Sequence, residues 1–157
     1  MGKIQWKPLM ISLLISLGTG AVSAILSQNI MEKYEALYKP PLSPPGWVFP
    51  VVWTILYILM GIAAYLVYVS DTPESEHALK LYAVQLAVNA GWSIIFFGFG
   101  IYLLAFTWLL LLWYLVFLAA KQFYDINPTA GKLMIPYIIW LTFAAYLNLA
   151  IAIHYKL

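Results

Sequence analysis

At 157 residues the chain has the length of one domain, but 64% of it is hydrophobic and only 9% charged, with eight Lys or Arg, six Asp or Glu and no cysteine. Soluble domains run at about 45–50% apolar and about 25% charged, so a water-soluble fold is excluded for want of polar surface. Without thiols there are no disulfides, zinc–thiolate sites or iron–sulfur clusters, and a net charge of +2 without one arginine excludes a basic nucleic-acid surface.

Charges mark where the chain leaves a membrane, because one at the bilayer centre costs at least ~2.5–3.5 kcal/mol. Pro8 to Met31 has none, which predicts a first span over 8–30. Lys3 and Lys7 precede it, and Ala21-Val-Ser-Ala24 is similar to a signal-peptidase site. The apolar run exceeds the usual ~7–15-residue signal core, so it is taken as a retained span. Residues 31–45 form the first connection, with Glu32, Lys33, Glu35 and Lys39 followed by Pro40, Pro41, Pro44 and Pro45. Each proline fixes its own φ and lowers the entropy of ordering the segment. The connection is therefore expected to be a stiff lid over one end of the bundle, with Pro45-Gly46 turning the chain into a second span, 46–70.

Asp71 to Lys80 is the second polar connection. Leu81 to Ala120 is then forty residues without a charged side chain, enough for two spans, 79–98 and 101–122, with a tight turn at Gly98–Gly100. Lys121 to Lys132 forms the next connection, and a last span over 131–154 ends at His154 and Lys156. The expected fold is an all-α membrane protein, a single five-transmembrane-helix bundle. Segments such as Trp108 to Leu118 lack the alternation of a β-barrel strand. Lys3, Lys7, Lys80, Lys121 and Lys132 share one side and Lys33, Lys39 and Lys156 the other, which predicts a cytoplasmic N-terminus.

Apart from Lys80, Lys121 and Lys132 at their very ends, the spans carry no Asp, Glu, Lys or Arg. Ion-coupled pumps place such groups in the membrane, so a pump is not expected. Neither His77 nor His154 is placed to ligate a haem, and no acid–base pair, metal cluster or nucleophile is visible. No catalytic residue, metal or cofactor is predicted.

Aromatic residues are abundant: 7 Trp, 12 Tyr and 8 Phe. Trp6, Tyr38, Trp47, Tyr102, Tyr124 and Tyr155 suit interfacial belts, whereas Trp53, Trp92 and Trp140 lie within spans. At 100° per residue, Gln85, Asn89, Trp92 and Phe96 share one face of the third span, and Ala83, Ala87, Ala90 and Gly91 fall on the opposite face. Amides in hydrocarbon must hydrogen-bond inside the protein, and small residues let helix backbones approach closely. The small face therefore packs either on a second subunit or on another helix of the same chain. Trp140, Phe143, Ala144 and Leu147 form a stripe on the fifth span, and Trp53, Tyr57, Met60 and Ala64 lie within about 60° on the second. Three aromatic stripes interrupted by small residues suit an apolar pocket for a flat ligand. They also suit a well-packed core.

Pro44-Pro-Gly-Trp-Val-Phe49, Val52 to Tyr65, Gln85 to Phe97 and Pro136 to Asn148 together resemble the TspO/MBR family of translocator proteins, also called peripheral-type benzodiazepine receptors, in a bacterial-type member. The resemblance spans residues 34 to about 155 in family order. It implies a five-helix bundle, commonly a homodimer, in contact with membrane lipid. The implied ligands are porphyrins, sterols in animals, and synthetic isoquinoline or benzodiazepine-type compounds. Carried over by motif, Trp53, Tyr57, Asn89, Trp92, Phe96, Trp140, Ala144 and Leu147 are pocket candidates, and Tyr34 and Pro44 belong to the lid. Ala83, Ala87, Ala90 and Gly91 are the candidate dimer interface. The proposed cholesterol motif needs a residue between its Tyr and its basic residue; here Tyr155 and Lys156 are adjacent, so sterol binding is not supported.

The expected function is binding of porphyrin-like flat hydrophobic molecules, as carrier, sensor or scavenger, in a bacterial cell membrane. Two alternatives remain. One is light- or oxidant-dependent porphyrin breakdown with Trp53 and Trp140 as redox-active residues, and the other is a regulatory scaffold with no dedicated ligand.

Overall fold

The computed structural model describes residues 3–155; Lys156, used above in the orientation and sterol arguments, lies outside them. Helices α1 (Trp6–Ser27), α3 (Val48–Ser70), α4 (Ser75–Ser93), α5 (Tyr102–Ile126) and α7 (Ile135–His154) form the bundle, with two short helices, α2 (Ile30–Ala36) and α6 (Pro128–Leu133), between them. Five helical segments are long and apolar enough to cross a membrane: Trp6–Ser27, Val48–Ser70, Ser75–Phe99, Tyr102–Ile126 and Pro128–His154. There is no strand among the described residues.

The first connection is not wholly a loop. Gln28 and Asn29, at φ 56° and 50°, reverse the chain after α1, and residues 30–36 then make two turns of helix. The charges at Glu32, Lys33 and Glu35 sit on a segment too short for its periodicity to show. The prolines follow it, and Val48 donates its N–H to the Pro45 carbonyl at 3.0 Å as α3 begins.

Other junctions follow their local chemistry. Asp71, at φ 49°, ends α3, and Ser75 Oγ accepts the Thr72 N–H and donates to the Val67 carbonyl, both at 3.0 Å. Asn127 caps α6 with its Oδ1, accepting from Thr129 and Ala130, and Pro128 occupies the first turn, where its missing N–H costs nothing. Gly131 is required there: a Cβ would stand 2.6 Å from the Tyr124 Cα and 2.8 Å from its nitrogen.

Helix α4 changes pitch at its end. Ile94–Phe99 form a π-helical turn, closed by Gly100 at φ 67°. A π turn advances the chain less around the axis per residue than an α turn. That alters which aromatic residue faces inward.

The solid part of the core joins α3, α4, α5, α6 and α7 through Met60, Val67, Tyr82, Leu86, Leu112, Val116, Phe123, Ala130 and Leu141. Helix α1 lies outside, held largely by its hydroxyls. Ser12 Oγ donates to the Gly61 carbonyl at 2.6 Å and Ser16 Oγ to that of Tyr57 at 2.7 Å. Further along, Ser23 Oγ donates to the Ala90 carbonyl at 2.9 Å and Ser27 Oγ to Ser93 Oγ at 2.9 Å. Helix α1 thus starts on α3 and finishes on α4, opening a wedge between its second half and the start of α3.

Candidate functional site

That wedge holds a cavity of about 460 Å³, within the ~300–1,000 Å³ range of small-molecule sites. Its walls come from five elements. Leu17, Gly20, Ala21, Ser23 and Ala24 of α1 face Phe49, Pro50, Trp53, Thr54 and Tyr57 of α3. Asn89, Trp92, Ser93 and Phe97 contribute from α4 and its π turn, Trp140 and Ala144 from α7, and Ile30, Met31 and Tyr34 of α2 close the end. Nine residues separate Val48 from Tyr57, about 14 Å at 1.5 Å per residue, roughly half of the ~30 Å hydrocarbon thickness. Ala21, Ala24, Pro50 and Thr54 line the cavity and are also exposed, so it opens sideways between α1 and α3.

A buried hydrogen-bond chain forms the deep end. Tyr57 Oη donates to Asn89 Oδ1 at 2.5 Å, Asn89 Nδ2 to Tyr137 Oη at 2.6 Å, and Tyr137 Oη to Gln85 Oε1 at 2.8 Å. Gln85 Nε2 ends the chain against Met60 Sδ at 3.9 Å. Both amides on the polar face of α4 are thus satisfied by α3 and α7, as groups in hydrocarbon must be. Asn89 also reaches the cavity; Gln85 does not. The stripe on α3 is divided: Trp53 and Tyr57 line a cavity, while Met60 and Ala64, one and two turns deeper, are solid core.

Indole donors distinguish the walls. Trp92 Nε1 donates to Asn148 Oδ1 at 2.9 Å, Trp108 Nε1 to the Val88 carbonyl at 2.6 Å, and Trp113 Nε1 to Thr142 Oγ1 at 2.9 Å. Trp140 Nε1 is buried and finds no acceptor among the described residues. An unmatched buried donor costs about 1–3 kcal/mol; the Trp140 ring lines the cavity while its nitrogen stays out of contact with the open space.

The closing segment is held by side chains bonding to main-chain oxygens. Tyr34 Oη donates to the Pro44 carbonyl at 2.5 Å, and Tyr146 Oη of α7 to that of Pro41 at 2.7 Å. Lys39 Nζ donates to the carbonyls of Tyr34, Glu35 and Leu37 at the end of α2. The Tyr34 ring meets Phe49 edge-on at 4.7 Å, and Phe49 meets Trp140 at 5.7 Å. Burial holds the Tyr34 phenol above its ordinary pKa, so it stays a donor through the neutral range.

Of the expected pocket residues, Tyr34, Trp53, Tyr57, Asn89, Trp92, Trp140 and Ala144 line this cavity. Pro44 does not; it anchors Tyr34. Leu147 is buried but not on the wall. Phe96 is displaced by the π turn: the direction that 100° per residue assigns to it is taken by Phe97, and Phe96 stacks on Trp92 at 5.2 Å and packs with Ile95, Ala105 and Ile151. The wall from α1 was missed altogether. Its residues are Gly, Ala and Ser, which look like any span; the excess of small residues from Gly18 to Ala24 was the available signal.

The small face of α4 is divided. Ala83 and Ala87 are exposed. Gly91 lies under Trp108, where a Cβ would meet Cζ2 at 2.9 Å, and the Ala90 carbonyl receives Ser23; these two pack within the chain.

A helical multi-pass membrane protein with an apolar, tryptophan-walled cavity and a short closing segment is the class that fold and site define. The TspO/MBR family model matches residues 10–154, and the chain belongs to that family. It is 40% identical over 120 residues to the tryptophan-rich protein TspO of Chlorobaculum tepidum, covering 75% of this chain and 76% of that one. It is 41% identical over 135 residues to protein CrtK of Rhodobacter capsulatus, covering 84% and 82%. Against the translocator protein of Ovis aries identity is 40% over 118 residues, covering 73% and 70%. The protein is a multi-pass integral membrane protein, and membership supports a sensory or binding role there.

Proposed function

We propose that the protein binds porphyrin-like molecules, flat and largely apolar with a few acceptor atoms, and acts on them as carrier, sensor or scavenger. The observation that carries this reading is a cavity of about 460 Å³ whose wall brings the rings of Phe49, Trp53, Tyr57, Trp92, Phe97 and Trp140 together with the small side chains of Gly20, Ala21, Ala24 and Ala144. A flat ligand stacks on such walls. The sideways opening suits a ligand dissolved in the bilayer. A homodimer is part of the proposal, formed through the exposed portion of the α4 small face, Ala83 and Ala87, where small residues permit close approach. Ala87→Leu should shift the detergent-solubilised protein toward monomer in sedimentation.

Protoporphyrin IX titrated into purified protein, read by tryptophan quenching, tests the binding. Saturation at a fixed stoichiometry is expected, weakened roughly 2–12-fold by Trp53→Ala or Trp140→Ala, as loss of about 0.5–1.5 kcal/mol of ring contact implies. Repeating it under illumination separates binding from breakdown, because turnover gives a new absorbing product. No saturable quenching would leave the scaffold reading standing.

A further inference from the structure

A second cleft lies across Phe97 from the cavity just described. It encloses about 280 Å³ and is lined by Lys33, Ala36 and Leu37 of α2, Phe96 and Phe97 of the π turn, Tyr102 at the start of α5 and Tyr155 just beyond α7. Only Phe97 is shared between the two. The cleft sits at the lid end of the bundle, where α4, α5 and α7 all begin or end, and hence at a membrane–water boundary.

Its polar side chains offer one ammonium and two phenol hydroxyls. Lys33 Nζ donates to the carbonyls of Ser27 at 3.1 Å and Phe97 at 2.8 Å. An ammonium carries three protons, so one is left. No carboxylate lies within ion-pair distance of it among the described residues, where the one ion pair is Lys80 with Glu76. Tyr155 Oη accepts the Tyr38 N–H at 3.0 Å, which leaves its own proton free. Tyr102 Oη makes no hydrogen bond to a described residue, and the two rings lie 5.4 Å apart. Phe96, Phe97, Leu37 and Ala36 supply an apolar floor. The lining includes no acidic side chain.

We propose that this cleft binds the anionic head of an amphiphile, a carboxylate or phosphate, with Lys33 as the charge partner, Tyr102 and Tyr155 as hydroxyl donors, and the chain or ring of the ligand against Phe96 and Leu37. A bare staple of Lys33 onto two carbonyls explains the fixed ammonium. It does not explain why an otherwise uncompensated cation and two free hydroxyls converge on one half-apolar cleft. Charge-assisted hydrogen bonds are the strongest such a site can make, and partial burial protects them from screening. The proposal does not depend on the porphyrin reading, because Lys33, Tyr102 and Tyr155 do not line the larger cavity.

The test is ligand-induced thermal stabilisation of delipidated full-length protein in a neutral maltoside detergent. The probes are decanoate, decanol, phosphatidylglycerol, phosphatidylcholine and inorganic phosphate. Decanoate should stabilise more than decanol and phosphatidylglycerol more than phosphatidylcholine. Lys33→Gln should weaken the anion response about tenfold and Lys33→Arg should retain it, with Tyr102→Phe intermediate. Porphyrin quenching should be the same in Lys33→Gln as in the parent. A response to phosphatidylglycerol and not to decanoate identifies a phosphate head, and the converse a carboxylate. Saturation by inorganic phosphate alone identifies a free anion and overturns the amphiphile. Equal effects of decanoate and decanol, or an anion response unchanged in both Lys33→Gln and Tyr102→Phe, would overturn the site. If Lys33→Gln does not fold, Lys33→Arg and Tyr102→Phe carry the decision.

Discussion

The two ends of this bundle are made of the same kinds of residue, yet one is solid and the other hollow. Around Met60, Val67, Leu112, Phe123 and Met134, aliphatic and aromatic side chains fill the space between α3, α5, α6 and α7 completely. Around Trp53, Phe49 and Trp140, side chains of similar character enclose about 460 Å³. Composition does not make the difference; backbone course does. At the solid end α6 folds back so tightly that Gly131 touches the Tyr124 backbone. At the other, α1 leaves α3 for α4, and α2 spans the gap from above. The chain Tyr57–Asn89–Tyr137–Gln85 marks the border between the two regimes.

Breaking the solid end should cost most stability and leave the site alone. Met134→Ala, at a fully buried position, is expected to lose about 2–5 kcal/mol in denaturant titration from mixed micelles. The porphyrin affinity of the folded fraction should be unchanged. A parallel loss of affinity would show that the two ends are one unit.

Striking the border should disturb both. Tyr137→Phe leaves Asn89 Nδ2 and Gln85 Oε1 without their partner; at about 1–3 kcal/mol for each buried orphan, a loss of roughly 2–6 kcal/mol is expected. Asn89 should turn, and affinity should fall as well. Retained stability would mean that the amides find other partners.

At the hollow end, stability and binding should separate. Trp140→Phe keeps a ring on the wall and deletes a donor that has no acceptor. Unfolding free energy should therefore stay level or rise slightly, while porphyrin affinity drops about 2–12-fold, as loss of about 0.5–1.5 kcal/mol of ring contact implies. Unchanged affinity would remove the Trp140 indole from ligand recognition.

The smallest effects belong to the closing segment. Tyr146→Phe cuts its tie to the Pro41 carbonyl and should speed porphyrin dissociation about 2–5-fold, at the scale of a single exposed hydrogen bond, in stopped-flow quenching. Alkali should do the same through Tyr34. Its folded pKa lies above the ordinary value of about 10. The bond to Pro44 is therefore fully present below about pH 10 and is lost as pH rises through the folded value. Dissociation should be flat between about pH 7 and 9 and quicken above 10, and Tyr34→Phe should abolish the rise.

Much of this was legible in the sequence because lipid imposes simple rules. Charges cannot lie deep, so Lys33, Asp71, Lys121 and their neighbours outline five spans. Amides cannot go unbonded, so Gln85 and Asn89 announce an inward face. Helical period then aligns Trp53 with Tyr57 and Trp140 with Ala144. Three things were hidden. Whether a stripe lines a cavity or a core depends on where a neighbouring helix diverges, which no single stripe encodes. The substitution of Phe97 for Phe96 arises from a π turn, which breaks the assumed period. Helix α2 is shorter than any period can reveal.

The anchoring of the closing segment has a consequence for how the protein can change. Tyr34, Tyr146 and Lys39 all grip carbonyl oxygens, and every residue supplies a carbonyl whatever its side chain. The segment's position is thus encoded in its backbone path, set by the prolines, and by three gripping groups, of which Tyr146 lies outside it. Ser43 adds a grip of the same kind from within, its Oγ donating to the Pro40 carbonyl at 2.7 Å, whereas the Leu42 side chain is exposed and makes no such tie. The mouth of the cavity can be repainted, residue by residue, on a frame that stays put.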